Sequence, residues 1–254
     1  MWREIGDAFH AIGSLGDGCR CVLLIGAGKS FCAGIDIADE NFGLMNVNED
    51  ENGADVARRY ISLRPKILEM QACLTAIEEC AVPVVAAIHG ACIGAGIDMS
   101  SCADIRICSP NSKFSVKEAK LGLAADVGTL QRLPKICGHS SRIRELCYTG
   151  ENFDSIEAAR LGFVSRVSPS DQGLIDVAMD ICQRIANNSP VAVQGTKLSI
   201  NYSRDHTVKE GLEHIASHNA AALMTNDLLD SFMASSSGNG ETAEFQLMLP
   251  HSKL

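Results

Sequence analysis

The chain has 254 residues, 46% of them hydrophobic, a mean hydropathy of +0.07 and a formal net charge of −9. That is enough apolar material for one large domain or two small ones, and the acidic balance argues against a nucleic-acid partner, because phosphate binding needs clustered Lys and Arg. An anionic small ligand stays open, and no apolar run is long enough for a membrane span, since the longest is interrupted by His89 and Asp98.

Residues 1–16 (MWREIGDAFHAIGSLG) have the spacing of an amphipathic helix ending near Gly16, and no apolar stretch follows a basic start, so they do not read as a signal peptide. Residues 21–26 (CVLLIG) predict a buried strand, and a glycine-rich loop follows to Asp36. Residues 46–53 (NVNEDENG) read as a polar loop and residues 56–80 as a long helix. The run VPVVAAIHG predicts a second buried strand with Pro83 at its entry. A helix opens over residues 94–101, ADIRICS is another strand, and residues 113–116 suggest a further short one. Residues 127–136 predict a helix capped by Gly138, and one more strand falls near residues 163–167. From Ser189 onward only helices are expected, with a loose segment over 235–241. The expectation is an α/β core over residues 1–187 followed by a helical region over 188–254. Eleven cysteines without one CxxC pair read as reduced thiols serving as small core residues. The last residues, Ser252, Lys253 and Leu254, read as a peroxisomal address recognised by an import receptor, and no mitochondrial targeting segment is visible.

Several short motifs carry less than they promise. LLIGAGKS holds Leu23 and Phe31 where a phosphate-binding loop and a dinucleotide fingerprint each need glycine. His214 and His218 stand four apart on a helix, but without a placed third ligand they read as two polar residues on one face. Gly94-Ala95-Gly96-Ile97-Asp98 combines small residues with a helix start, so its free amides could hold an oxyanion; a tight strand–helix crossing explains it equally well. Phe31-Cys32-Ala33-Gly34-Ile35-Asp36 is a second small-residue loop, by itself an ordinary connection. Three acids stand in largely apolar or glycine-rich surroundings. Asp98 is expected to be buried, Glu118 could be solvated beside Lys117 and Lys120, and Asp126 could cap a helix starting at Val127. Asp104 in ADIRIC reads as a structural ion pair or cap.

Together, SFCAGIDI, HGACIGAGIDMSSCADIRIC, GLAADVGTLQRLPKICG and EAARLGFVSRV, in this order and spacing, resemble the crotonase (enoyl-CoA hydratase/isomerase) superfamily. Within it the chain is most similar to the Δ3,5-Δ2,4-dienoyl-CoA isomerases, which SPVAVQGTKLSINYSRDHTVKEGL and the terminal Ser-Lys-Leu support. The resemblance implies an α/β spiral of ββα turns with C-terminal helices that build homotrimers or hexamers, acyl-CoA substrates, and no metal or redox cofactor. The amides of Ala33 and Ala95 would form the oxyanion hole, with Gly34, Ile35, Asp36 and Gly94 lining the substrate. Asp98, Glu118 and Asp126 would be the catalytic carboxylates, and Asp126 stands where hydratases typically have glycine. The family's opening strands, and the turn that helps hold the CoA nucleotide, have no counterpart ahead of the first helix.

The implied reaction converts 3,5-dienoyl-CoA to 2,4-dienoyl-CoA in unsaturated fatty acid β-oxidation, with Glu118 at C2 and Asp126 at C6. The alternatives are an enoyl-CoA hydratase, a Δ3-Δ2-enoyl-CoA isomerase, and a catalytically silent scaffold of the same fold that binds acyl-CoA.

Overall fold

The five residues VVAAI form a strand buried on both faces, and the rest of the core is laid down around it. The computed structural model describes residues 1–14, 18–36, 55–236 and 243–248; the loop at 46–53, Gly16 and the Ser252-Lys253-Leu254 terminus lie outside them. In chain order the elements are α1 (Trp2–Ser14), β1 (Val22–Ile25), α2 (Val56–Glu79), β2 (Val84–Ile88), β3 (Ala91–Ile93), α3 (Ala95–Cys102), β4 (Ile105–Cys108) and β5 (Lys113–Ser115). There follow α4 (Thr129–Ile136), α5 (Ser140–Thr149), β6 (Phe153–Asp154), α6 (Ser155–Leu161), β7 (Arg166–Val167), α7 (Leu174–Ala186), α8 (Pro190–Ser203), α9 (Val208–Ala222) and α10 (Asn226–Ser236).

One sheet is fully parallel in the order β1-β2-β4-β7; the other runs β3-β5-β6, with only β5–β6 antiparallel. From β2 to β5 successive strands alternate between the sheets: β2 then β3, β4 then β5. Each such pair advances the chain by one coil of a spiral, and Lys113 N–H donating to Gly90 O ties neighbouring coils. Strand side chains alternate, so Val84, Ala86 and Ile88 enter the main core while Val85 and Ala87 face α7, packing with Leu174, Ala178 and Ile181. A strand buried on both faces in this way needs a continuous apolar sequence.

The expected elements are present with shifted ends. Strand β1 is less buried than CVLLIG suggests: among the described residues it pairs only with β2, and Ile25 is 43% exposed. The helix expected from Val127 begins at Thr129 with Gly128 at its N-cap, and ends at a Cys137 C-cap rather than Gly138, whose amide instead donates to Leu161 O. Strands β3 and β6 are too short to show a period-2 pattern; long-range pairing alone defines them.

From Ser189 to Ser236 the described elements are all helices, and the described residues 243–248 carry no regular secondary structure. Ser189 caps α8 with Pro190 as its first residue, and Thr207 and Glu210 form a capping box on α9. Polar ties dock α8 on the core: Lys197 Nζ reaches Val82 O at 3.0 Å and Asp104 at 2.8 Å, and Asn201 Nδ2 reaches Glu78 O at 3.3 Å. Asp104 also accepts from the Val84 amide at 2.7 Å, so it is the structural ion pair its sequence suggests. All eleven cysteines are free thiols.

Candidate active site

The two small-residue loops meet edge to edge. After β1 the chain turns at Gly26, where any Cβ would strike the backbone of Phe31, and runs back beside β3. Cys32 pairs in parallel with Cys92: Cys32 N–H donates to Ala91 O at 3.0 Å and Ile93 N–H to Cys32 O at 2.9 Å. Ala33 and Gly34 therefore follow the pairing on one side, and Gly94 and Ala95 on the other. Gly34 (φ 105°) and Gly94 (φ 52°) both occupy backbone conformations that side chains resist. Gly96 is in close contact with Cys32, so the crossing needs small residues as well as leaving amides free. Ala95 is the first residue of α3, where an N–H has no helical acceptor. Among the described residues neither the Ala33 nor the Ala95 amide donates to a protein oxygen. Ala33 is exposed, as are Ile35 and Asp36.

The three acids converge beside this crossing. Asp98, on the first turn of α3, is 1% exposed. Its Oδ1 accepts from the Thr129 amide at 2.7 Å, while Oδ2 is buried without a partner. Asp98 thus caps α4 from another helix, and Asp126 is not that helix's cap. Glu118 opens a short 3-10 turn, Glu118–Leu121, that ends on a left-handed Gly122. Its Oε1 lies 3.2 Å from the point where a Cβ on Gly94 would sit, and its Oε2 is buried and unpaired. Glu118 therefore points at the glycine preceding Ala95 and is not a solvated surface acid. Asp126 is exposed, and its backbone carbonyl accepts from Gln71 Nε2 at 2.6 Å.

Burial pushes the Asp98 carboxyl above its usual range; hydrogen bonds from Thr129 oppose the rise and the charge of Asp126 adds to it. Burial also raises Glu118, and the charges of Asp98 and Asp126 raise it further. The charge of Asp126 acts on both buried acids and that of Asp98 acts on Glu118, so the three form one electrostatic group. A carboxyl raised in this way can exchange a proton nearer neutral pH than a solvated one.

Two groups fall outside the cluster. His214 stacks on Tyr202 with ring centres 4.0 Å apart, and His218 packs against Gly195. Among the described residues no group of three or more His, Cys, Asp or Glu could hold a metal ion, and no helix is long and apolar enough to cross a membrane. A cleft of about 1080 Å³ lies elsewhere, lined among others by Arg106, Lys135, Lys197 and Arg204 and by none of the three acids. It is the seam where α8 docks. Sequence reasoning missed Gln71, Thr75, Glu78 and Arg132, which brace the segment carrying Asp126; polar residues spaced four and three apart within a mostly apolar helix were the available signal.

The sequence and fold agree with known proteins. The family model described as enoyl-CoA hydratase/isomerase matches residues 1–228. The Homo sapiens protein named Delta(3,5)-Delta(2,4)-dienoyl-CoA isomerase, mitochondrial, is 45% identical over 234 residues, covering 92% of this chain and 70% of that protein. The Arabidopsis thaliana protein named Delta(3,5)-Delta(2,4)-dienoyl-CoA isomerase, peroxisomal, is 44% identical over 214 residues, covering 84% and 75%. Among solved structures, an enoyl-CoA hydratase from Bacillus anthracis superposes with a TM-score of 0.81 at 26% identity, covering 96% of this chain and 87% of that one. The chain belongs to the enoyl-CoA hydratase/isomerase family.

Proposed function

We propose that this chain is a Δ3,5-Δ2,4-dienoyl-CoA isomerase, acting on acyl-CoA thioesters without a metal or redox cofactor. The observation that carries the reading is the third acid. Asp126 joins Asp98 and Glu118 in one electrostatic group beside two unengaged amides. The names of its relatives at about 44% identity support the same activity.

The steps follow from what each group can do. The thioester oxygen sits between the Ala33 and Ala95 amides, which stabilise the negative charge that develops as C2 loses a proton; each such donor is worth about 3 kcal/mol. Gly34, Ile35, Asp36 and Gly94 line the bound thioester. Glu118, held against Gly94, takes the proton from C2. The electron pair moves through the diene and Asp126 delivers a proton to C6. Glu118, with one oxygen buried, and Asp126, exposed, are like residues in unlike settings, and they serve as base and acid. Asp98 has one oxygen committed to Thr129 and tunes the pair. A hydratase needs no proton carrier at the far end, which places it second.

The C-terminal region from residue 188 on, with its helices α8 to α10, is the assembly region, forming a trimer or a pair of trimers. Leu229, Phe232 and Met233 on α10 are 63%, 71% and 71% exposed, a surface suited to burial against a second copy. The relatives are named mitochondrial or peroxisomal, and Ser252-Lys253-Leu254 favours the peroxisome, through its import receptor.

The test is to supply 3,5-dienoyl-CoA and follow 2,4-diene absorbance, with 2-enoyl-CoA hydration measured in parallel. Isomerisation should dominate, and Asp126→Asn should abolish it while the protein stays folded. Full activity in Asp126→Asn sinks the assigned role, and dominant hydration selects the second reading.

A further inference from the structure

Asp126 is the one acid of the three whose side chain the protein leaves free. Its carboxyl makes no hydrogen bond among the described residues and is exposed. Its reach is therefore set by the backbone that carries it, and that backbone is gripped at several points. Gln71 Nε2 donates to the Asp126 carbonyl at 2.6 Å. Thr75 Oγ1 accepts from Arg132 Nη2 at 3.0 Å, and Glu78 Oε2 from Arg132 Nε at 2.5 Å. The other Glu78 oxygen takes Arg204, the C-cap residue of α8. Arg132 also fills the space beside Gly128 (φ 131°), where a Cβ would collide with its guanidinium.

Gln71, Thr75 and Glu78 are spaced four and three apart, so they form one stripe along about 10 Å of α2. All three face the segment 126–132. The stripe is costly where it ends. Glu78 is a buried acid in the last turn of a helix with no basic residue there, the terminus where a negative charge is unfavourable. Two arginines from other helices offset that cost.

We propose that Gln71, Thr75, Glu78 and Arg132 are positioning residues that set where the Asp126 carboxyl stands relative to the far end of the substrate. The inference rests on the reading of Asp126 as the proton carrier at C6. Loss of a grip shifts the carboxyl without removing it. Proton removal at C2 by Glu118 is served by other elements and stays intact.

The experiment uses the full chain carrying Gln71→Met or Arg132→Met, with Arg132→Lys as the conservative variant and Asp126→Asn as the reference. Isomerisation of 3,5-dienoyl-CoA is measured alongside deuterium uptake at C2 from heavy water, which reports the first half-reaction alone. A misplacement near 1 Å should lower kcat about 10- to 100-fold, with KM and C2 exchange unchanged and Arg132→Lys recovering part of the loss. Wild-type kcat in both Met variants, with Asp126→Asn inactive, overturns the inference. So does a fall in C2 exchange as large as the fall in kcat, which marks a general loss of structure. If Asp126→Asn is itself fully active, the underlying reading fails instead. Should Arg132→Met not fold, Gln71→Met decides by itself, since it removes one hydrogen bond and no charge.

Discussion

Truncating Glu78 to Ala should cost about 3 kcal/mol of stability, the low end of the range of roughly 3–5 kcal/mol for breaking a buried ion pair. The side chains of Glu78 and Arg132 are 11% and 13% exposed, and that of Arg204 is 29% exposed. Removing the carboxylate strands Arg132 in a buried setting, whereas Arg204 keeps much of its water and adds little. For a chain of this size each kcal/mol moves the unfolding midpoint by about 2–4 °C, so Glu78→Ala should fall by about 6–12 °C. The exposed pair Lys135–Asp205, with side chains 46% and 50% exposed, is the control: Asp205→Ala should cost less than about 1 kcal/mol. Stability against pH gives a second check. Burial works to raise the Glu78 carboxyl, but the hydrogen bonds and charges of Arg204 and Arg132 outweigh it, and the net shift is downward. A depressed folded value means the contribution is present above the unfolded value of about 4.3 and is lost as pH falls through the folded one. The gap between wild type and Glu78→Ala should therefore be constant near neutrality and close below about pH 4. Thermal and urea unfolding across this range measure it. A gap no larger than that of Asp205→Ala, or one that widens as pH falls, refutes the reasoning.

Other consequences are open to direct measurement. Glu118 must be ionised to take the C2 proton, and its carboxyl is raised, so the acidic limb of kcat/KM should lie above the ordinary carboxylate value of about 4.3. Asp126→Glu should hold that limb in place, whereas Asp126→Asn removes a like charge and should move the limb of C2 exchange to lower pH. Gly94→Ala should cost about 1–3 kcal/mol from its positive φ and also displace Glu118, so activity falls with stability; Gly122→Ala carries similar strain into open space and should lose stability alone, by calorimetry and turnover. Phe232→Glu with Met233→Glu should reduce the mass of the assembly in analytical ultracentrifugation, and an unchanged mass would remove α10 from the subunit interface.

Much of the fold was legible where one physical cause acts over several neighbouring residues. The continuous apolar run of β2 announced burial on both faces, Pro83 and Ser189 marked boundaries, and the loss of strand patterns after residue 187 marked the helical region. Asp98 read correctly as buried because Ile97, Met99 and small residues surround it. Glu118 and Asp126 did not read so clearly. The lysines beside Glu118 suggested solvent, yet the 3-10 turn rotates its carboxyl toward Gly94. Local pattern made Asp126 a helix cap, yet Asp98 holds that amide from another helix.

By itself the sequence determined the element types, the two glycine-bearing loops, the presence of three acids and their family resemblance, because these follow from residue chemistry and near-neighbour spacing. Tertiary structure alone decided that Cys32 pairs with Cys92 and brings Ala33 beside Ala95, that Asp98 caps α4, and that Gln71, Thr75 and Glu78 grip the segment bearing Asp126. Those are contacts between residues 31 to 60 positions apart, and no local period records which partner a polar group will find once the chain has folded back on itself.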